Sequence, residues 1–73
     1  MRKSQIELVL TSEMYYLVVN AEIKGQILSS EHNLTAIRAE AFQYCIYYGK
    51  CIAIEWWFNG SREELEAKLK KKI

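Results

Sequence analysis

The fold is decided by residues 34–58, which have the sequence LTAIRAEAFQYCIYYGKCIAIEWWF. Up to the glycine, apolar residues recur at steps of three and four: Leu34, Ile37, Ala41, Tyr44 and Tyr48. That spacing is typical of an amphipathic helix, and Gly49 stands where helices commonly end. The last two turns of this predicted helix, residues 42–48, are apolar nearly all round. Such a helix end lies either deep in a core or in an interface.

After Gly49 the period changes to two, which predicts a strand over residues 50–58. One face of this strand holds Ile52, Ile54, Trp56 and Phe58, and the other holds Cys51, Ala53, Glu55 and Trp57. Both faces are largely apolar, which is typical of a central strand or of one covered on both sides.

The residues before the helix alternate with period two, which predicts strands at 5–11 and 14–23 that form an antiparallel hairpin. The Lys24-Gly25 pair indicates the next turn, and residues 26–29 are long enough for a short third strand. Whether these four residues form a strand is left open by their pattern.

The C-terminal residues predict a second helix that starts at a capping box, Ser61-Arg62-Glu63-Glu64. Its apolar stripe is narrow, with Leu65, Leu69 and Ile73, so we expect a loosely docked surface helix. The predicted fold is therefore a single α+β domain over residues 1–73. It has a small antiparallel sheet of three to four strands, one helix packed on a face, the order β-β-(β)-α-β-α and a C-terminal surface helix.

Size and composition bound the function. The chain has 73 residues, of which 51% are hydrophobic, and a formal net charge of +1. A domain this small buries only about 60% of the surface of its unfolded chain. We therefore expect self-association as a homodimer, while the balanced charge gives no strong attraction to nucleic acid or to an anionic membrane.

The residue types that carry most catalysis are scarce. His32 is the only histidine, all nine acids are glutamate, and the three glycines stand apart at turn positions. We therefore assign no catalytic, cofactor-binding or metal-binding residue and do not expect an enzyme.

Cysteine content and hydropathy predict the compartment. No apolar run approaches the roughly 20 residues of a membrane span, so no membrane association is expected. We expect a cytoplasm-like, reducing compartment, in which Cys45 and Cys51 are free buried thiols. A disulfide between them is geometrically possible.

The aromatic residues point to an interface. Nine aromatics are many for this length, and Trp and Tyr are preferred anchors of protein interfaces. Trp56 and Trp57 lie on opposite faces of their strand, so one of them needs a cover other than the first helix. That cover is the C-terminal helix, a second subunit or a foreign partner. The predicted interface comprises Tyr44, Tyr47, Tyr48, Trp56 and Trp57.

These features indicate a small protein-binding, regulatory or assembly module, of the kind common among accessory and mobile-element (phage-like or virus-like) proteins. The alternative is a nucleic-acid-binding protein in which dimerisation pairs two basic tails. The residues available for this contact are Arg2, Lys3, Lys68, Lys70, Lys71 and Lys72.

Overall fold

A computed structural model describes residues 4–49 and 51–71. Its elements are β1 (Ser4–Leu10), β2 (Met14–Val19), β3 (Glu22–Leu28), a 3-10 turn (Ser29–Glu31), α1 (Leu34–Tyr48), β4 (Cys51–Trp57) and α2 (Arg62–Lys71). The α+β class and the order β-β-β-α-β-α confirm the prediction, and residues 26–29 fall largely within a third strand. Arg2, Lys3, Lys50, Lys72 and Ile73 lie outside the described residues.

The turn between β2 and β3 lies earlier than the sequence predicts. It falls at Asn20 and Ala21, which have φ of 50° and 68°, instead of at Lys24-Gly25. Asparagine tolerates this left-handed region better than most residues. The Asn20 Oδ1 atom also accepts a hydrogen bond from the Gln5 N–H at 3.0 Å, which fixes the turn to β1. Gly25 lies within β3, opposite Leu17.

The sheet has the strand order β3-β2-β1-β4. As predicted, β1, β2 and β3 pair with one another in antiparallel fashion. Strand β4, however, pairs in parallel with β1, so the sheet is mixed. The chain leaves β3, which runs parallel to β1, and returns through α1 before it enters β4. A crossover of this kind delivers a strand in the parallel direction.

Helices cover both faces of the sheet. On one face α1 packs on Ile6, Leu8, Leu17 and Val19, and on the other α2 packs on Val9, Tyr16 and Val18. The expectation of a loosely docked α2 is wrong, since Leu65 and Leu69 are 0% and 1% exposed. The reason lies in the second face of β1 and β2, where Val9, Tyr16 and Val18 form an apolar surface on which these two leucines pack.

A disulfide joins Cys45 and Cys51, with 5.6 Å between their Cα atoms, so the expectation of free thiols is wrong. Gly49 ends α1 with φ of 81°, a conformation that side chains rarely adopt. Its N–H donates to the Cys45 carbonyl oxygen at 3.0 Å, and the turn brings the first residue of β4 back beside the last turn of α1. Both cysteines are half-buried.

Reduction of this disulfide is expected to lower the free energy of unfolding by about 2 kcal/mol, because the bond closes a short loop in the unfolded chain. Urea denaturation with and without a dithiol measures the difference. The control is the double variant Cys45→Ala/Cys51→Ala, whose stability should not respond to the dithiol. Identical midpoints for the oxidised and reduced wild type would contradict the prediction.

Candidate functional site

Strand β4 lies at one edge of the sheet, with β1 on its inner side. The Phe58 N–H donates to the Leu10 carbonyl oxygen of β1 at 2.9 Å. Backbone groups of alternate residues in a strand point to opposite sides. The backbone groups that point away from β1 therefore belong to Cys51, Ala53, Glu55 and Trp57. Within residues 4–49 and 51–71 no strand pairs with this side.

Large apolar side chains lie exposed around this free edge. On β4 they are Ile52, Ile54 and Trp57, and on α1 they are Phe42, which lines the groove beside β4, and Ile46. Phe42 is 63% exposed and Trp57 is 61% exposed. Ile46 follows Phe42 by one helical turn, which places both on the same side of α1. We call these five residues the β4 belt.

An open groove of about 270 Å³ runs between α1 and β4. It is lined by Ile6, Leu8, Arg38, Ala41, Phe42, Cys45, Ala53, Ile54 and Glu55. Most of these side chains are apolar, and two of them belong to the β4 belt. The belt is therefore continuous with a partly open part of the core.

The two charged residues of this groove neutralise each other. Arg38 donates from Nε to Glu55 Oε2 at 2.7 Å and from Nη2 to Glu55 Oε1 at 2.9 Å. The hydrogen bond from Arg38 lowers the pKa of Glu55 below its usual range, and Glu55 raises the pKa of Arg38. Any stability from this pair is present above the ordinary glutamate pKa and is lost as the pH falls through the lowered one. Near neutral pH the edge therefore carries no net charge from this pair.

The predicted faces of residues 51–58 are confirmed, but the two tryptophans do not share a surface. Trp57 points to the α1 side and is exposed, whereas Trp56 points to the α2 side and packs against the core there. The sequence offered α2, a subunit or a partner as the cover for one tryptophan. For Trp56 the cover is α2.

Several contacts hold Trp56 in place. Its Nε1 donates to Glu7 Oε1 at 2.9 Å, and Glu7 is 1% exposed. The Lys68 ammonium lies 4.8 Å from the Trp56 ring centroid, and Phe58 packs edge-on at 5.9 Å. Trp56 is thus packed against the core on the α2 side of the sheet.

The predicted tyrosines cluster at the end of α1. Tyr44 stacks on Tyr48 with ring centroids 6.5 Å apart, and Tyr47 meets Tyr48 edge-on at 5.1 Å. Tyr44 is half-buried against the α1 side of the core, while Tyr47 and Tyr48 are exposed. The structure places Tyr47, Tyr48 and Trp57 at the surface, leaves Tyr44 half-buried and packs Trp56 on the α2 side of the sheet, and the interface itself stays a prediction.

The predicted basic residues of α2 are mixed with acids. Lys68 lies over Trp56 and Phe58, and Lys70 lies on the other flank beside Glu66. On that flank Arg62 donates from Nε to Glu66 at 2.9 Å and also contacts Gln26. The described part of α2 therefore carries acids in its first turn and lysines in its last, and Lys68 and Arg62 already have partners.

The sequence assigned the apolar helix end 42–48 to a core or an interface, but the five predicted interface residues did not include Phe42, and the Arg38–Glu55 pair was not predicted. The available signal was the spacing of Phe42 and Ile46, four residues apart on one side of a helix. Nothing in the sequence alone says which flank of α1 lies beside the edge strand.

In residues 4–49 and 51–71 no helix is both long and apolar enough to cross a membrane. In the same part of the chain no three His, Cys, Asp or Glu side chains gather as a metal site. Comparison with protein families, curated proteins and solved structures gives no match to this chain.

Proposed function

We propose that this chain is a non-enzymatic assembly module that works as a homodimer joined through the β4 belt. The observation that carries the proposal is the position of the exposed apolar side chains. Five of the eight large hydrophobic residues that are exposed in the described part of the chain belong to β4, whose outer edge is unpaired there, or to the side of α1 that carries Phe42. Exposed apolar side chains gathered in one region of a surface mark interaction sites.

A second copy of the chain suits this surface. A closed dimer uses the same patch on both subunits, so the patch must complement itself. An apolar edge whose one acid is paired with its own Arg38 meets that condition, since two copies bring no repelling net charge together. A standard interface buries roughly 800 Å² per partner. That is roughly 15% of the 5213 Å² surface of the described chain, and an edge strand with one helix flank can supply it.

The test is sedimentation equilibrium over a concentration series, for wild type and for Trp57→Ser. Wild type should dimerise, and Trp57→Ser should raise the dimer Kd about 30-fold, because tryptophan is among the residues that most often form interface hot spots. Leu28→Ser is the matched control, since Leu28 is an exposed large apolar residue on β3, at the opposite edge. A monomeric wild type throughout the series would overturn the proposal, as would equal effects of the two variants.

The alternative, nucleic-acid binding through paired basic tails, is less favoured by the surface of α2. A phosphate backbone is bound by cations that are free to contact it. In α2 two cations already have partners, since the Lys68 ammonium lies over two aromatic rings and Arg62 pairs with Glu66 at 2.9 Å.

The remaining functional expectations stay predictions. They are a role in binding or regulating another protein, an origin among accessory or mobile-element proteins, and a cytoplasm-like compartment. Disulfides persist mainly in oxidising compartments, so the Cys45–Cys51 bond weighs against the last of these.

A further inference from the structure

We infer that the two copies join by antiparallel pairing of β4 with β4, which makes one continuous sheet with its two-fold axis at Ile54. This inference rests on the proposed homodimer and specifies how its subunits meet. Each copy contributes the four strands of its sheet.

The two edges of the sheet differ in their protection. Natural edge strands avoid pairing with other chains through charges, bulges or covering segments. Edge strand β3 has such features, with exposed Glu22, Lys24 and Gln26 and a bulge in its pairing with β2. Edge strand β4 pairs with β1 without a register shift over all seven of its residues. Its one charged residue, Glu55, is held by Arg38, so β4 is the edge open to a further strand.

The direction follows from symmetry. A closed dimer of identical subunits is most often two-fold symmetric, and a two-fold axis perpendicular to a sheet places the two copies of an edge strand antiparallel. Antiparallel neighbours also form straight hydrogen bonds between residues that lie directly opposite each other.

The register follows from the outward residues. An axis at Ile54, the middle of β4, pairs Cys51 with Trp57 and Ala53 with Glu55 of the second copy, so all four outward residues form backbone hydrogen bonds. An axis at Glu55 would set the two Glu55 side chains directly opposite, which is unfavourable for like charges. With the axis at Ile54, the two copies of Ile54 lie directly opposite each other, and Ile52 of one copy lies opposite Trp56 of the other, on the α2 side of the sheet. Such pairs of β-branched and aromatic residues stabilise sheets.

Ala53→Pro is the sharpest test, because proline removes the outward N–H of residue 53, which pairs with no other strand within residues 4–49 and 51–71. Edge strands accept proline at such positions, and an extended Ile52 before it is compatible with the ring. The variant should keep its fold by circular dichroism and lose the dimer, with Kd raised by about 100-fold or more. Ala53→Val is the matched control, since it keeps the N–H and should still dimerise.

The outcomes separate the two proposals. A monomeric wild type overturns both of them. A dimeric wild type together with an equally dimeric, folded Ala53→Pro variant overturns the strand pairing and leaves the proposed homodimer standing.

A second measurement serves if Ala53→Pro does not fold. In a mixed sample of isotope-labelled and unlabelled wild type, a filtered NOE between the Hα atoms of Ile52 and Trp56 should appear between copies. Directly opposed residues of a non-hydrogen-bonded pair have Cα atoms about 4.5 Å apart. Within one chain these residues lie about 13 Å apart along the strand, so the signal cannot arise there. A dimeric sample that lacks this contact overturns the inference.

Discussion

Leu65→Ala is expected to lower the free energy of unfolding by about 3 kcal/mol. Leu65 is 0% exposed and packs with Val9, Tyr16 and Val18, so the substitution leaves a cavity between α2 and the sheet. Truncation of a fully buried leucine to alanine costs about 2–5 kcal/mol, which is a large share of the roughly 5–15 kcal/mol of a typical domain. The effect is large here because only Leu65 and Leu69 are fully buried among the described residues of α2.

Chemical denaturation of wild type and of Leu65→Ala measures this loss, at a concentration low enough to keep both monomeric. Leu28→Ala is the matched control, because it makes the same chemical change at a leucine that is 46% exposed. Its loss should stay below about 1 kcal/mol. Equal losses for the two variants would mean that α2 is only loosely attached to the sheet.

The helices and strands can be predicted from local sequence patterns, but which of them lie side by side in the sheet cannot. Period-two alternation and the three- and four-residue spacing of 34–48 predict strands and helix because those spacings put apolar side chains on one face. The parallel pairing of β4 with β1 depends on which edge α1 delivers the chain to. No residue of β4 indicates which edge of the sheet this is. The turn at Asn20 was missed since its support comes from Gln5, fifteen residues earlier.

The candidate site could be predicted only in part, because it too depends on which elements become neighbours. The apolar excess of residues 51–58 and the opposite directions of Trp56 and Trp57 follow from alternation alone. Which tryptophan is covered depends on α2, because Leu65 and Leu69 pack on the sheet face that carries Trp56. Trp57, Ile52 and Ile54 are exposed because β4 is an edge strand, and that position can be predicted only when the sheet order is known.

Trp56→Phe is expected to lower the free energy of unfolding by about 2–3 kcal/mol. The indole Nε1 is a hydrogen-bond donor to Glu7, whose side chain is almost wholly buried, and phenylalanine cannot replace it. A buried polar group that loses a partner pays its desolvation cost, about 1–3 kcal/mol and more when the group is charged. The smaller ring also gives up part of its contact with Phe58 and with the Lys68 ammonium.

Trp57→Phe is the matched control, since it makes the same change one residue later at an exposed indole, and its effect on the monomer should stay within about 0.5 kcal/mol. A double-mutant cycle with Glu7→Met, which removes the acceptor oxygen, separates the hydrogen bond from the change in packing. If the Trp56–Glu7 bond carries most of the effect, Trp56→Phe should cost at least about 1 kcal/mol less in the Glu7→Met background. Strict additivity would instead assign the whole loss to packing. In that case the buried glutamate of β1 would be stabilised by its other interactions, and Trp56 would act only as the apolar cover between β4 and α2.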